Sequence, residues 1–198
     1  MDIFESDNLD IEKNMKNVII TGTANRYLIT KLKKEPKIIK TRKIVEKMDL
    51  PSEYFLISNQ IYIIDILFGC IDDAYPISLS LDHTQIIKKQ LECKMSGYKQ
   101  QDIDKSRYDD NHFIKLDKVI EKMYKCKLNC YYCNCKMNIL YEIVRENKQW
   151  TLDRLDNDIG HNEENVIIAC LECNLKRRRT NTNSFLFTKQ LNLVKSTK

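Results

Sequence analysis

Two cysteine pairs, Cys130-Tyr-Tyr-Cys133 and Cys170-Leu-Glu-Cys173, frame the stretch of sequence that decides the fold. Each CxxC turn directs two thiolates towards one point, and four thiolates complete the tetrahedral coordination of a zinc ion. The 36 residues between the pairs exceed common zinc-finger spacings, so a structure of their own must fill the gap. The sequence therefore predicts a structural zinc ion held by these four cysteines.

The segment between the pairs predicts two short strands, and a helix is predicted to follow. Apolar and β-branched residues dominate 150–153 and 165–169, and a polar loop joins them. A helix is expected from Leu171 through Arg179. Strand, loop, strand and helix, with zinc pinning both ends, make a ββα arrangement.

Three motifs lie on these elements: Leu152-Asp153-Arg154, Gly160-x-x-x-x-Asn165 and Cys170-x-x-Cys173-Asn174-Leu-Lys176. Together with the first cysteine pair they closely resemble the HNH endonuclease family, in its zinc-knuckle branch, over about residues 112–180. The resemblance implies a ββα-metal domain that hydrolyses phosphodiester bonds, with DNA as the expected substrate.

The resemblance also implies a second metal site, which is catalytic. Asp153 and Asn174 match the family positions that hold this metal, and Asn165 matches the position that orients the base or a loop carbonyl. A carboxylate and an amide oxygen suit a hard cation such as Mg²⁺. Mg²⁺ or Mn²⁺ is therefore the expected catalytic ion.

The chain departs from the family at the general base. Most HNH proteins have histidine directly after the strand aspartate, where this chain has Arg154. A branch of the family has Asp-Arg there and a tyrosine eight residues beyond the aspartate, and His161 occupies that later position. A histidine can accept a proton at neutral pH, so His161 is the expected base and Arg154 the expected stabiliser of phosphate charge. The alternative is a surface-loop histidine without a role.

Basic residues indicate a nucleic-acid partner. The net charge is +5. Basic residues cluster in 26–47 and in the stretch beyond Asn174, and the second stretch contains no acidic residue. Neutralising phosphates releases condensed counterions, which favours binding of a polyanion by such surfaces. Double-stranded DNA is the expected partner, and the predicted phosphate contacts are Lys176, Arg177, Arg178 and Arg179.

The expected fold class is α+β, with a mainly helical N-terminal part followed by the zinc-stapled ββα-metal (HNH) domain. The predicted divisions are a polar arm at 1–25, a helical domain at 26–108, the HNH domain at 109–182 and a basic tail at 183–198. Residues 84–95 and 112–124 are expected to be helical, with a loop at Ser96-Gly97-Tyr98. The apolar stretch 54–70 fits either a helix or a strand.

No signal peptide or membrane-spanning segment is recognisable, so an intracellular, soluble protein of the cytoplasm or nucleus is expected, without a membrane partner. The N-terminal half could bind a protein partner or a second copy of the chain. Besides the nuclease, the sequence allows a catalytically inactive, zinc-containing nucleic-acid-binding module or a subunit of a larger nucleic-acid-processing complex. Asp153, Asn165 and Asn174 together favour the enzyme, because a simple binder has no need for a carboxylate that repels phosphates without a metal.

Overall fold

The structure is a computed structural model that describes residues 48–70 and 74–191. These residues belong to one compact unit, Ile39–Lys198. The expected arm at 1–25, the basic run at 26–47 and the end of the basic tail lie outside the described residues. The division near residue 108 stays a prediction.

The described part of the chain is a mixture of helices and one small sheet, as the predicted α+β class requires. Its elements are α1 (Ile57–Phe68), α2 (Leu81–Asp104), α3 (Leu116–Lys125), β1 (Trp150–Arg154), β2 (Val166–Cys170), α4 (Leu171–Arg177) and α5 (Thr182–Gln190). Short 3-10 turns, Ser52–Phe55 and Glu163–Asn165, precede α1 and β2. No helix in the described ranges is long and apolar enough to cross a membrane.

The ambiguous apolar stretch is a helix, α1. It ends at Gly69, which adopts a left-handed conformation (φ 101°) that glycine tolerates without steric cost. Gln60 of α1 is fully buried, accepting hydrogen bonds at Oε1 from the backbone N–H groups of Ile139 and Leu140. One amide side chain thus joins α1 to the segment that follows the first cysteine pair.

The predicted loop at 96–98 is wrong, because α2 continues through it to Asp104. Glycine inside a helix costs about 1 kcal/mol relative to alanine, which tertiary packing can offset. Here Tyr98 is buried, and its hydroxyl accepts a hydrogen bond from the backbone N–H of Leu152 in β1 (3.2 Å). The contact requires Tyr98 to stay on the helix face that meets the sheet.

Helix α3 begins at Leu116, later than the predicted start at His112. The residues before it pair with the loop between the strands: Phe113 forms an antiparallel bridge with Asn162, and the N–H of Ile114 donates to the carbonyl of His161 (3.0 Å). The predicted helix is otherwise confirmed, and its buried face consists of Val119, Ile120 and Met123. The pairing places the start of α3 beside that loop.

Strands β1 and β2 form an antiparallel hairpin that places the predicted site residues. Trp150 pairs with Cys170 at one end, and Arg154 pairs with Val166 at the other. We call these the cysteine end and the loop end. Helix α4 follows β2 without a break and ends at Arg177, two residues before the predicted end.

One face of α2 lies along the hairpin. Lys94, Tyr98 and Asp102 are spaced four residues apart, so they share a side of the helix. Lys94 donates to the carbonyl of Trp150, Tyr98 binds the N–H of Leu152, and Asp102 binds His161 in the loop. We call these three residues the α2 stripe.

Candidate functional site

The first cysteine pair lies at the tip of a tight turn. The N–H of Cys130 donates to the carbonyl of Cys135 (2.9 Å), and the N–H of Asn134 donates to the carbonyl of Cys130 (2.9 Å). Asn134 has a φ of 54°, a left-handed conformation that asparagine accepts more readily than most residues. The turn brings the Cys130 and Cys133 thiols towards the start of α4.

All four predicted zinc ligands meet at the cysteine end. The sulfur atoms of Cys130, Cys133, Cys170 and Cys173 lie within 4.8 Å of one another, and the Cys133 and Cys170 sulfurs are 3.9 Å apart. Zn–S bonds of about 2.3 Å in a tetrahedron place sulfurs about 3.8 Å apart. The four cysteines could therefore hold a metal ion, and their chemistry and spacing fit zinc.

The environment of these thiols favours ionisation at one position. A hydrogen bond from Cys170 lowers the pKa of Cys130 to about 5, with backbone N–H groups assisting, while burial raises the pKa of Cys173 to about 12. A cationic metal stabilises thiolates, and ligation deprotonates the remaining thiols. Cys126 and Cys135, which flank the first pair, do not belong to the four-cysteine cluster.

Asp153 projects from β1 into a buried ion pair. Its carboxylate accepts from Arg177 twice, Nε to Oδ2 (2.7 Å) and the NH2 nitrogen to Oδ1 (2.8 Å), and the Tyr132 hydroxyl donates to Oδ2 (2.7 Å). Bidentate pairing of this kind is stronger and more directional than a simple ion contact. Asp153 is therefore held in one orientation and largely neutralised.

The prediction of Arg177 as a phosphate contact does not agree with its position. Only 1% of its side chain is exposed, and its guanidinium also donates to the carbonyls of Arg154 (2.6 Å) and Thr180 (2.9 Å). The basic run 176–179 lies where α4 ends, and the helix turns this one member inwards. Arg177 ties α4 to β1 instead of facing solvent.

His161 is buried in the loop, and it faces a carboxylate from α2. Asp102 Oδ2 accepts from the backbone N–H of His161 (2.6 Å), and the ring Nδ1 lies 2.9 and 3.0 Å from the two carboxylate oxygens. The ring also packs against Tyr98, with centroids 4.7 Å apart. His161 keeps 5% of its side-chain surface exposed, so it is not the surface-loop histidine of the alternative prediction.

Arg154 converges on the same carboxylate. Its NH1 nitrogen lies 3.8 Å from Asp102 Oδ1 and donates to the carbonyl of Ile159 (3.2 Å). Burial lowers the pKa of Arg154, opposed by Asp102, yet an arginine stays protonated at any physiological pH. Burial also lowers the pKa of His161, again opposed by Asp102. The loop end thus pairs a neutral histidine with a charged guanidinium.

Asn165 holds the shape of the loop. Its Nδ2 donates to the carbonyls of Asp156 (2.9 Å) and Gly160 (3.0 Å), and its Oδ1 accepts from the N–H of Asp156 (2.9 Å). Gly160 directly precedes His161. Asn165 therefore fixes the backbone from which the histidine projects, the kind of contact with a loop carbonyl that the sequence predicts.

Asn174 and Asp153 supply the types of oxygen atom that a hard cation prefers. Asn174 Nδ2 donates to Thr151 Oγ1 (3.1 Å) and the carbonyl of Leu152 (3.3 Å), which leaves Oδ1 on the opposite side of the amide. Asp153 Oδ2 already accepts two hydrogen bonds, whereas Oδ1 accepts one and retains a lone pair. Both oxygens of the Asp153 carboxylate therefore already have partners, and only 4% of the side chain is exposed.

The other members of the basic run are exposed. Lys176 forms an ion pair with Glu172 (2.5 Å), which raises the pKa of the lysine and lowers that of the glutamate. Arg178 is exposed at the end of α4, and Arg179 has 82% of its side chain exposed. Arg178 and Arg179 are the members available to a phosphate backbone.

Sequence reasoning missed Asp102 and Tyr132 as parts of the site. Asp102 lies 59 residues before His161 in the mainly polar last turns of α2, and no local pattern separates it from Asp104. Tyr132 lies between two of the clustered cysteines, Cys130 and Cys133. Its hydrogen bond to Asp153 depends on a contact across 21 residues.

The fold and site define a mixed α+β protein with a four-cysteine cluster that could hold a metal ion. No family model matches the chain, and no solved structure matches it. A stretch of 58 residues, 29% of this chain, is 33% identical to part of an uncharacterised protein of Acanthamoeba polyphaga mimivirus. The stretch spans 9% of that viral protein, so the match assigns neither a family nor an activity.

Proposed function

We propose that this protein is an HNH-type endonuclease that hydrolyses phosphodiester bonds in DNA with a divalent cation and a structural zinc ion. The observation that carries the proposal is the convergence of His161 and Arg154 on Asp102, with Arg154 directly after Asp153 in β1. A neutral base, a charged guanidinium and a carboxylate are the side chains that phosphodiester hydrolysis needs.

His161 is the general base. Its Nδ1 faces Asp102, so the ring nitrogen that takes the proton of the attacking water is Nε2. Burial lowers the pKa of His161, which keeps the ring neutral and able to accept a proton at pH 7. Asn165 holds the preceding carbonyl, so the base is oriented before substrate binds.

In the hydrolytic step, the water oxygen forms a bond to phosphorus while its proton moves to Nε2 of His161. The bond between phosphorus and the leaving sugar oxygen breaks, its electron pair stays on that oxygen, and solvent supplies the proton. Arg154 stabilises the negative charge on the non-bridging oxygens through its guanidinium. Asp153 and Asn174 are the residues that would hold a divalent cation, which would supply Lewis-acid stabilisation of the charge on the phosphate.

The binding of the substrate is assigned to the exposed end of α4. Arg178 and Arg179 contact phosphates without reading bases, so they position the duplex. Arg179 lies 3.8 Å from the exposed Asp158, an ion pair that phosphate would replace at little cost. DNA therefore meets the loop end from the side where α4 ends.

A second function, a nucleic-acid-binding module without catalysis, is favoured by one observation. The Arg177 and Tyr132 contacts neutralise Asp153, which removes the repulsion that an unpaired carboxylate would exert on phosphates. In that case Asp153 serves the fold, and Arg154 binds the backbone.

A nicking assay separates the two functions. Zinc-replete protein is incubated with supercoiled plasmid, with and without Mg²⁺, beside His161→Ala and Asp153→Asn. His112→Ala, on an exposed histidine, and Asp156→Asn, which keeps an acceptor for the N–H of Asp158, are the matched controls. The nuclease predicts Mg²⁺-dependent nicking that both site variants lose and both controls retain.

Other outcomes are equally informative. Cleavage lost only in Asp153→Asn keeps the enzyme and rejects His161 as its base. Tight DNA binding with no cleavage by folded, zinc-loaded protein supports the binding module instead.

A further inference from the structure

We propose that Asp102, on α2 and outside the segment that resembles a nuclease, is the positioning residue that sets the tautomer and orientation of His161. The inference rests on the proposed function, because it assigns a role relative to the general base. Asp102 is fully buried and lies in the α2 stripe.

The hydrogen bonds determine which ring nitrogen carries the proton. An ionised carboxylate only accepts hydrogen bonds, so a neutral His161 must carry its hydrogen on Nδ1, 2.9 and 3.0 Å from the Asp102 oxygens. The lone pair is then on Nε2, away from the carboxylate. Asp102 Oδ2 also accepts from the backbone N–H of His161, so it binds the residue at two points.

The backbone around this contact leaves little freedom. At the C-terminus of α2 the N–H of Arg107 donates to the carbonyl of Asp102 (2.8 Å), and that of Ser106 donates to Ile103 (2.9 Å), a Schellman motif. A Cβ at Gly160 would lie 2.5 Å from the Arg107 carbonyl oxygen and 3.0 Å from Asp102 Oδ2. The loop can approach α2 this closely only because residue 160 is glycine.

Arg154 supplies the charge that the buried carboxylate requires. A buried carboxylate without a counter-charge costs several kcal/mol. With Arg154 NH1 3.8 Å from Asp102 Oδ1, the guanidinium balances the carboxylate, so His161 need not be protonated to do so. Asp102 thus orients the base, while Arg154 supplies the counter-charge and burial keeps the ring neutral.

Replacing Asp102 with asparagine tests this arrangement with almost no change in shape. The backbone N–H of His161 is a fixed donor, so the amide oxygen must face it, and the amide nitrogen then donates to Nδ1. That reversal places the ring hydrogen on Nε2 and removes the lone pair that takes the proton. In serine proteases the equivalent aspartate-to-asparagine change lowers kcat by about 10⁴ through the wrong tautomer.

The tautomer can be measured without any assay of activity. The chain has three histidines, so ¹⁵N-histidine labelling of the full protein gives a spectrum simple enough to assign by His83→Gln and His112→Gln. At about pH 8, where histidine is neutral, we expect His161 to carry its hydrogen on Nδ1 in the unaltered protein and on Nε2 in Asp102→Asn. Asp104→Asn, an exposed change of the same charge two residues along α2, should leave the tautomer unaltered.

The nicking rate supplies the second readout. Asp102→Asn should lose about 10²- to 10⁴-fold in rate, the range of general-base catalysis, with its zinc content retained. Asp102→Glu, which keeps a carboxylate on a longer arm, should keep the Nδ1–H tautomer and lose less. It also serves if the asparagine variant does not fold.

Two results would overturn the inference: an Nε2–H tautomer in the unaltered protein, or an Asp102→Asn variant that nicks at the unaltered rate. If the unaltered protein does not nick DNA, the proposed function fails. The tautomer measurement then still decides whether Asp102 positions His161.

Discussion

The two ends of the β1–β2 hairpin are held by different means. At the cysteine end, four thiols from two short motifs meet within 4.8 Å. At the loop end, two buried carboxylates hold the structure together: Asp153 binds Arg177, and Asp102 binds His161. The comparison shows that short sequence motifs can predict a metal site. The residues that surround His161, in contrast, come from parts of the chain that are far apart in the sequence.

Losing the cysteine end should have the largest effect. Zinc binding in small domains is worth about 10–16 kcal/mol, comparable to or above the whole stability of a typical domain. Cys173→Ser should therefore lose its zinc and its cooperative thermal transition. The measurement is zinc content together with circular dichroism on heating.

Cys126→Ser is the matched control, because that thiol donates to the carbonyl of Met123 and a serine hydroxyl can replace it. Stoichiometric zinc in Cys173→Ser would contradict the assigned ligand set.

Breaking the Asp153 ion pair should be the next largest effect. Arg177→Met leaves a buried carboxylate without its counter-charge, which costs about 3–5 kcal/mol and lowers Tm on the order of 10 °C. Calorimetry measures the change, with Arg179→Met on an exposed arginine as control. Equal Tm values for the two variants would show that the loop end does not depend on this pair.

The pH dependence of the nicking rate should report the protonation of His161, the expected general base at the loop end. Because burial lowers the pKa of His161 below 6.5, the ring stays neutral to lower pH than a free histidine. The rate should be flat above pH 6.5 and fall with a midpoint on the acid side of that value. A midpoint above 6.5 would mean that His161 gains stabilisation as a cation.

The lowered pKa of His161 also makes the free energy of unfolding depend on pH in a defined direction. The unfolded chain holds the histidine proton more tightly than the folded one, so acid favours unfolding. The contribution of neutral His161 is present above pH 6.5 and is lost as the pH falls from that value through the lower pKa of the folded state. Comparing urea midpoints of the unaltered protein and His161→Gln on both sides of pH 6.5 measures this term.

The smallest effect is expected at the exposed basic residues. Arg178→Ala and Arg179→Ala should each weaken DNA binding and reduce the slope of log K against log salt by about 1. Lys176→Ala should change the slope less, because Glu172 already neutralises that lysine. Fluorescence anisotropy at several salt concentrations measures all three slopes, and an unchanged slope in Arg179→Ala would place DNA elsewhere.

Much of the hairpin could be predicted because its signals are local. The four cysteines, the two strands and the helix after Cys170 follow from spacing and from runs of apolar residues, and all are present. The start of α3 and the course of α2 could not be predicted as well. Both depend on contacts with the hairpin, Ile114 with His161 and Tyr98 with Leu152, which no window of sequence contains.

The residues of the candidate site could be predicted from sequence motifs better than the residues that they contact. His161, Arg154 and Asn165 lie at one end of the hairpin, where motif spacing places them. Arg177 was the failure, because three consecutive arginines look like a solvated basic run and nothing local shows which one turns inwards. A buried partner becomes visible only when Asp153 is placed in three dimensions.

The α2 stripe determines which fragment of the chain could be transferred to another protein with the hairpin and its contacts intact. Lys94 and Asp102 are eight residues apart, which spans about 12 Å of helix along the strand. A graft that began at residue 109 would carry every recognisable motif, yet it would leave Trp150 without its lysine, Leu152 without its acceptor and His161 without its carboxylate. A fragment that keeps these contacts must therefore begin no later than Leu81, the start of α2, although the first recognisable motif begins at Cys130.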